Sequence, residues 1–315
     1  MITSTSEQLG QVIAQIEDYR VCDFQESTHE RGGRILTHLW DLDAMTQGLR
    51  RGSLFILAGS TGMGKTTFAL NLAYNISAYS KVPVVYGCYD SPPQELIYKL
   101  LASQSEIESG RIKSSRLTET EWPVLGEAIS AVRDLPLFFF DRACSSLQEI
   151  CSYLLEVEQQ AGKPAGILVL DQLQLLPIIK SGSEKDIEQL IVDLRCLAED
   201  QQMCVILLAQ ANPSAELRDG HLPHLNDLPA INAMQAWAEV IAFLHRDEYW
   251  SPDSPMRGEA ELIIAKNRDN PVGTIRFEFM PQYSRFSAPA QTVEPTRLQP
   301  TRLKHLPLAN QGLAS

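Results

Sequence analysis

Basic side chains are in short supply in this 315-residue chain. Lys and Arg number 27 against 39 Asp and Glu, a formal net charge of −12. A broadly basic coat of the kind that wraps nucleic acid is therefore excluded, although local basic loops are not. Long apolar runs are also missing. None approaches the ~20 residues that span a bilayer, and the longer ones, such as 166–170, have the length of buried strands. The start, Met1-Ile2-Thr3-Ser4, leads into polar residues and not into an apolar signal core. Pairs at Cys-x-x-Cys spacing are absent. Cys22, Cys88, Cys144, Cys151, Cys196 and Cys204 are scattered, mostly inside apolar segments. They read as packing thiols in a reduced, cytoplasmic protein with no membrane attachment. What remains is ordinary: 44% hydrophobic residues, with 18 Gly and 18 Pro. That composition rules out a wholly disordered or fibrous chain, and the length allows one large domain or two small ones.

Three regions separate along the chain. Residues 1–33 form an acidic and polar arm in which Leu9, Val12, Ile13 and Ile16 recur at helical spacing, so a short amphipathic helix is expected. Gly32-Gly33 then breaks the chain. From Ser287 to the end the sequence turns rich in Pro, Ala, Gln and Thr, with the repeat Pro295-Thr296-Arg297-Leu298 and Pro300-Thr301-Arg302-Leu303. Having little to bury, 287–315 reads as a disordered tail. Its charge balance is +2, which leaves −14 on the rest. Between the arms, 34–286 alternates strand-like and helix-like segments. Strands are expected at 54–58, 83–89, 137–140, 167–170 and 203–209, with helices over 66–79, 92–103, 146–161 and 184–200. Further strands are expected at 240–244, 260–266 and 273–279. The first five strands are continuously apolar, which suits a sheet covered by helices on both faces. An α/β fold with a mostly parallel central sheet flanked by helices follows.

One loop carries a strong chemical signal. Gly59-Ser60-Thr61-Gly62-Met63-Gly64-Lys65-Thr66 fits the P-loop pattern G-x-x-x-x-G-K-[ST], with an apolar strand running in and a helix running out. Glycines let backbone N–H groups wrap phosphate oxygens, and the helix start adds partial positive charge. Lys65 would reach the β and γ phosphates and Thr66 would ligate Mg²⁺, with Thr67 next along the helix. Such a loop does not name a reaction by itself. Other strand ends add polar groups. Asp171 ends an apolar strand where a carboxylate can hold Mg²⁺. Asp90 is placed to act as a general base, though Asp90-Ser91-Pro92 also has the look of a helix start. Gln210 is placed to sense a γ-phosphate. His221 and His224 flank Leu222-Pro223, which argues against a metal pair on a helical face.

Taken in order, these pieces resemble the RecA-like ATPase domain of the DnaB replicative helicase family across 34–286. The likeness opens at Leu42-Asp43-Ala44-Met45-Thr46-Gln47-Gly48-Leu49. It continues through Asp171-Gln172-Leu173-Gln174-Leu175, Ala209-Gln210-Ala211-Asn212 and His245-Arg246-Asp247-Glu248-Tyr249, to 265–273. The resemblance implies a RecA-like P-loop NTPase that binds ATP and Mg²⁺. Lys65 and Thr66 would serve phosphate and metal, and Asp171 would be the second metal holder. Asp90 stands where the family has its catalytic Glu, and Gln210 would couple the γ-phosphate to the loops. Lys266 and Arg268 would be a trans-acting pair that reaches a neighbour's ATP. Arg246 and Phe279 would sandwich the adenine. A trans-acting pair implies self-association, as a hexameric ring or a filament, and the arm helix fits a linker helix that docks on the next subunit.

The departures point the other way. Asp90 is one methylene shorter than Glu. Asp227-Leu228-Pro229-Ala230-Ile231-Asn232 lacks the Arg, Glu and Gly of the family's Asp-Leu-Arg-Glu-Ser-Gly. The loop 212–224 carries Arg218 as its one basic side chain besides His, although Lys180 and Lys185 flank another candidate loop. With only 33 residues ahead of the core, the family's primase-binding helical domain is not expected, and a primase-type partner is not expected with it. Two readings stand. One is an oligomeric ATP-driven motor on single-stranded DNA, in replication or recombination. The other is a non-motor ATP-binding regulator or loader that uses the same fold for interaction.

Overall fold

The computed structural model describes residues 30–31, 33–141, 144, 146–179, 183–212, 218, 220–251 and 253–289. The stripe at Leu9 to Ile16, Lys180 and the tail from 290 lie outside the described residues. In chain order, strands β1 (Glu30–Arg31) and β2 (Arg34–Ile35) precede helix α1 (Trp40–Thr46) and β3 (Leu49–Arg50). There follow β4 (Ser53–Gly59), α2 (Lys65–Asn75), β5 (Val84–Cys88), α3 (Pro93–Ser105), α4 (Ser109–Lys113), α5 (Glu121–Arg133) and β6 (Leu137–Asp141). The chain goes on through α6 (Leu147–Ala161), β7 (Ile167–Asp171), α7 (Glu184–Asp200), β8 (Cys204–Gln210), α8 (Ile231–Trp237) and β9 (Val240–His245). It closes with α9 (Asp247–Trp250), β10 (Glu259–Asn267), β11 (Gly273–Met280) and β12 (Arg285–Ser287).

The first three strands pair in a small antiparallel sheet. The other nine form the main sheet in the order β12-β11-β10-β9-β4-β8-β7-β5-β6. From β9 to β6 every pairing is parallel, and β10, β11 and β12 are antiparallel. The parallel strands read as unbroken apolar runs because successive side chains enter two different cores. On β4, Phe55 and Leu57 face one core with Phe68 and Leu72 of α2. Leu54, Ile56 and Ala58 face the other, with Leu190, Ile191 and Leu194 of α7. The antiparallel strands alternate instead. Ile275, Phe277 and Phe279 are buried on β11 while Thr274, Arg276 and Glu278 are exposed, so this edge is covered on one face.

Each strand and helix expected between 54 and 279 is present, with ends shifted by one or two residues in most cases. Helix α2 runs on into a π-type turn at Ile76–Ser80. Among the described residues, five helices escaped the sequence pattern. The longest, α5, contains Pro123 and Gly126 and buries only Leu125 and Ala128, so its apolar stripe is too thin to read. Helices α6 and α7 start where a serine hydroxyl accepts a backbone N–H, from Glu149 to Ser146 and from Asp186 to Ser183, each at 3.2 Å. Among the described cysteines, Cys88, Cys144 and Cys204 are buried, Cys151 is half-buried and Cys196 is exposed, all as free thiols. Burial pushes the Cys88 and Cys204 thiols up to about 12.

Candidate nucleotide site

The parallel order brings four strand ends to one edge: Gly59 from β4, Tyr89-Asp90 beyond β5, Asp171 from β7 and Gln210 from β8. That carboxyl edge is where open α/β sheets bind ligands. The loop between β4 and α2 is built around close approach. A Cβ on Gly59 would lie 2.5 Å from the Leu244 carbonyl oxygen of β9, and Gly64, at φ 99, turns the chain into α2. Gly59-Ser60 and Met63 are buried, whereas Thr61 and Gly62 face out.

Lys65 is only 8% exposed. Its ammonium donates to the carbonyls of Gly59 and Ser60, both at 2.9 Å, which folds it into the loop. Burial pushes its pKa down to about 8, against the opposing pull of Asp171 and Asp90. Asp171 is buried as well. Desolvation pushes its carboxyl above the ordinary range, and the hydroxyls of Thr66 and Tyr86, which donate to it, pull partway back. The Tyr86 Oη to Asp171 Oδ2 distance is 2.9 Å. The Asp171 carbonyl also accepts the backbone N–H of Tyr89 at 2.9 Å and of Asp90 at 3.2 Å, which fixes the turn that presents Asp90. The Asp90 side chain itself is exposed.

Gln210 is held on three sides. Its Nε2 donates to Thr61 Oγ1 at 2.7 Å, tying it to the loop. Its backbone pairs with the Gln174 amide in both directions, at 3.1 Å and 3.0 Å. The N–H of Ala211 donates to the Gly59 carbonyl at 3.1 Å. Gln174 has no task legible from its motif alone. In the fold it is the clamp on Gln210.

Arg246 and Phe279 meet directly. The guanidinium carbon lies 4.4 Å from the Phe279 ring centre, with no gap for a base between them. Arg246 also donates to Glu248 at 2.5 Å and to the Gly62 carbonyl at 3.3 Å. Tyr249 packs across Gly62, so that a Cβ there would meet its ring at 2.8 Å. Neither Glu248 nor Tyr249 has a role legible from sequence: Glu248 pairs with Arg246 only two residues away, and Tyr249 reaches Gly62 from far along the chain.

Lys266 and Arg268 lie elsewhere. Strand β10 runs antiparallel to β9, and after a bulge between Ile264 and Lys266 it sets Lys266 beside Ile241 and Asn267 beside Val240. Val240 in turn pairs with Phe55, near the start of β4. Gly59 is four residues farther along β4, about 13 Å away. The pair therefore sits at the opposite end of the sheet from its own loop. Lys266 donates to the carbonyls of Gln235 and, at 2.5 Å, Ala238, and Arg268 donates to the Ala236 carbonyl at 2.9 Å. Burial, and then the charge of Arg268, lower the Lys266 pKa.

His221 stacks on Trp250 with ring centres 4.6 Å apart. Among the described residues there is no cluster of three His, Cys, Asp or Glu side chains suited to a metal. Nor, among them, is any helix long and apolar enough to cross a membrane.

A mostly parallel sheet with this loop at its carboxyl edge, Thr66 and Asp171 beside it and a glutamine at the end of β8 bonded to the loop defines a RecA-like P-loop ATPase domain. The model of the DnaB-like helicase C terminal domain matches residues 34–288, and the chain belongs to that family. It is 30% identical over 267 residues to the replicative DNA helicase DnaB of Geobacillus stearothermophilus, covering 83% of this chain and 58% of the relative. It is 28% identical over 290 residues to the replicative DNA helicase DnaC of Bacillus subtilis, covering 90% and 62%. The chain thus spans about three fifths of the length of these relatives. Among solved structures, one described as an ATPase domain superposes with a TM-score of 0.82 at 30% identity, covering 91% of this chain and 99% of that one. A DnaB-like replicative helicase, described with its interactions with primase, gives 0.79 at 30% identity, covering 91% and 67%. That description runs against the expectation of no primase-type partner, which rested only on how little chain precedes the core. A KaiC-like protein from Pyrococcus horikoshii, at 16% identity and a TM-score of 0.55, shares the fold.

Proposed function

We propose that this chain hydrolyses ATP with Mg²⁺ as the motor domain of an oligomeric DnaB-type helicase, acting on single-stranded DNA in the cytoplasm. The observation that carries this reading is the division of the site. Loop, carboxylates and glutamine share one edge of the sheet, while Lys266 and Arg268 lie at the far end, out of reach of their own loop. A second copy with its nucleotide edge against that end would complete a site, in a ring or a filament.

The residues present fit the groups implied. Thr66 and Asp171 are neighbouring oxygen donors, the set a hard divalent cation takes. Mg²⁺ held there would shield the phosphate charge that builds up in transfer. Lys65 would exchange the Gly59 and Ser60 carbonyls for phosphate oxygens. Asp90 would orient the attacking water and accept its proton. Gln210 would leave Thr61 for the γ-phosphate and carry the change into 211–212. Arg246 and Phe279 would part by about 3.5 Å to admit the adenine.

A pH dependence follows from Lys65. Phosphate favours the charged amine, so its pKa in the complex lies above the value of about 8 in the free protein. Affinity is full below that value and falls by up to tenfold per pH unit as pH climbs toward the pKa of the complex. Titrating a fluorescent ATP analogue at about pH 7 and about pH 9.5 checks this. Equal affinities would contradict it, and Lys65→Arg is expected to remove the slope.

Hydrolysis is the direct test. ATPase rates are expected to rise with single-stranded DNA and to vanish in Lys65→Ala. Asp90→Glu is expected to raise turnover on the order of tenfold by bringing the carboxylate closer to the water. Hydrolysis indifferent to DNA would sink the motor reading. The second reading, a non-motor ATP-binding regulator, draws on a specific contact. Arg218, the one arginine of its loop, is spent in an ion pair with the buried Asp227 and is withdrawn from DNA phosphates. Strand separation by the purified protein would exclude that reading.

A further inference from the structure

We infer that the C-terminal end of α8 is a resting dock for Lys266 and Arg268, which withholds the pair from a neighbouring subunit until α8 lets it go. This rests on the trans role proposed above. The last carbonyls of a helix have no partner within it and carry partial negative charge, so cations settle there. Helix α8 has seven residues, and the pair uses its terminal carbonyls and the cap just past them: Gln235 and the capping Ala238 for Lys266, Ala236 for Arg268. The backbone adds a further tie, since the Arg268 N–H donates to the Glu239 carbonyl at 3.0 Å. Two like charges converge on one helix end, so each weakens the hold on the other. A triphosphate offers full negative charge where the dock offers partial charge, and is able to displace it.

The other end of α8 is tied to this chain's own loop. The Asn212 N–H donates to the Asp227 carbonyl at 2.7 Å, three residues ahead of the α8 cap at Ala230. Asn212 lies two residues beyond Gln210, which bonds Thr61 of the P-loop. Ala230 has φ 48, a left-handed conformation that a non-glycine residue adopts at a cost, so the joint between this segment and α8 is a defined bend. Met234 is fully buried and seats the helix on the core. A shift of Gln210 toward a γ-phosphate would reach α8 through 211–212 and 227–230. The nucleotide in one subunit would thereby set when that subunit offers Lys266 and Arg268 to the next.

Charge placed at the dock tests this. Gln235 is exposed and lies outside the catalytic set. Gln235→Glu is expected to hold the pair more tightly and lower the kcat of the assembled protein about two- to fivefold, and Gln235→Lys to raise it by a similar factor. Nucleotide affinity and oligomer size are expected to stay unchanged in both. Without nucleotide, acylation of Lys266 by an amine-reactive ester, read by peptide mass, is expected to slow in Gln235→Glu and speed up in Gln235→Lys. Opposite shifts in both readouts support the dock. Shifts of one sign, or none, overturn it. The underlying trans role is separated by mixing Lys65→Ala with Arg268→Ala subunits, since a mixed assembly holds sites with an intact loop facing an intact arginine. Regained hydrolysis supports the trans role, so that a failed Gln235 pair then counts against the dock alone. No regained hydrolysis overturns both.

Discussion

Replacing Arg268 by alanine is expected to lower ATP turnover of the assembled protein by roughly 10³–10⁵-fold, with nucleotide affinity nearly unchanged. The asymmetry comes from where Arg268 sits. It touches no part of its own loop, so a lone chain would bind nucleotide without it. A guanidinium supplied across an interface acts on the charge that develops on the transferring phosphoryl group, and its removal falls on kcat. The structural cost is small. Arg268 loses a bond to the Ala236 carbonyl at a helix end, worth about 0.3–1 kcal/mol. Steady-state rates and analogue binding on one preparation separate these effects. A loss of less than tenfold would remove Arg268 from the transition state.

The second large effect is expected at Lys65. Lys65→Met removes a cation from the position proposed to face the phosphates and is expected to cut hydrolysis by about 10²–10³-fold or more. It is not expected to unfold the protein. The ammonium is desolvated in a nearly closed site and held by two carbonyls, so it already sits at a cost to the free protein. Methionine fills much of the same volume without a charge to bury. The thermal midpoint of Lys65→Met is therefore expected to match or exceed that of the parent. A fall of many degrees would mean that lost activity reports unfolding and not lost phosphate contact.

Much of the nucleotide edge was legible in the sequence because each of its parts is local. A glycine-rich turn after a strand, and Asp171 or Gln210 at the end of an apolar run, can be recognised within a dozen residues. Gln174 and Tyr249 were not legible, since their roles arise from contacts with Gln210 and Gly62 that only the folded chain brings together, and the Glu248 pairing with Arg246, two residues away, leaves no signature in the sequence. The parallel strands could be read from their unbroken apolar character. The strand order could not, because β4 lies between β8 and β9, far away in the chain. The alternation of β11 shows in the sequence, but which strand it reverses against does not. Helix α5 stayed hidden behind Pro123 and Gly126, and α1 and α8 span seven residues each, too few to show a period.

The reversal of β10 has a consequence for how copies would count. On the trans role proposed above, it would give the subunit a donor end, with Lys266 and Arg268, and an acceptor end, with the loop. Units of that kind join head to tail, and each junction makes one working site. In a closed cycle the junctions equal the subunits. In an open row there is one junction fewer, and the loop at one terminus has no donor. Turnover per subunit would then climb as rows lengthen and would reach its ceiling only on closure, so specific activity measured against concentration would itself report whether the assembly is open or closed.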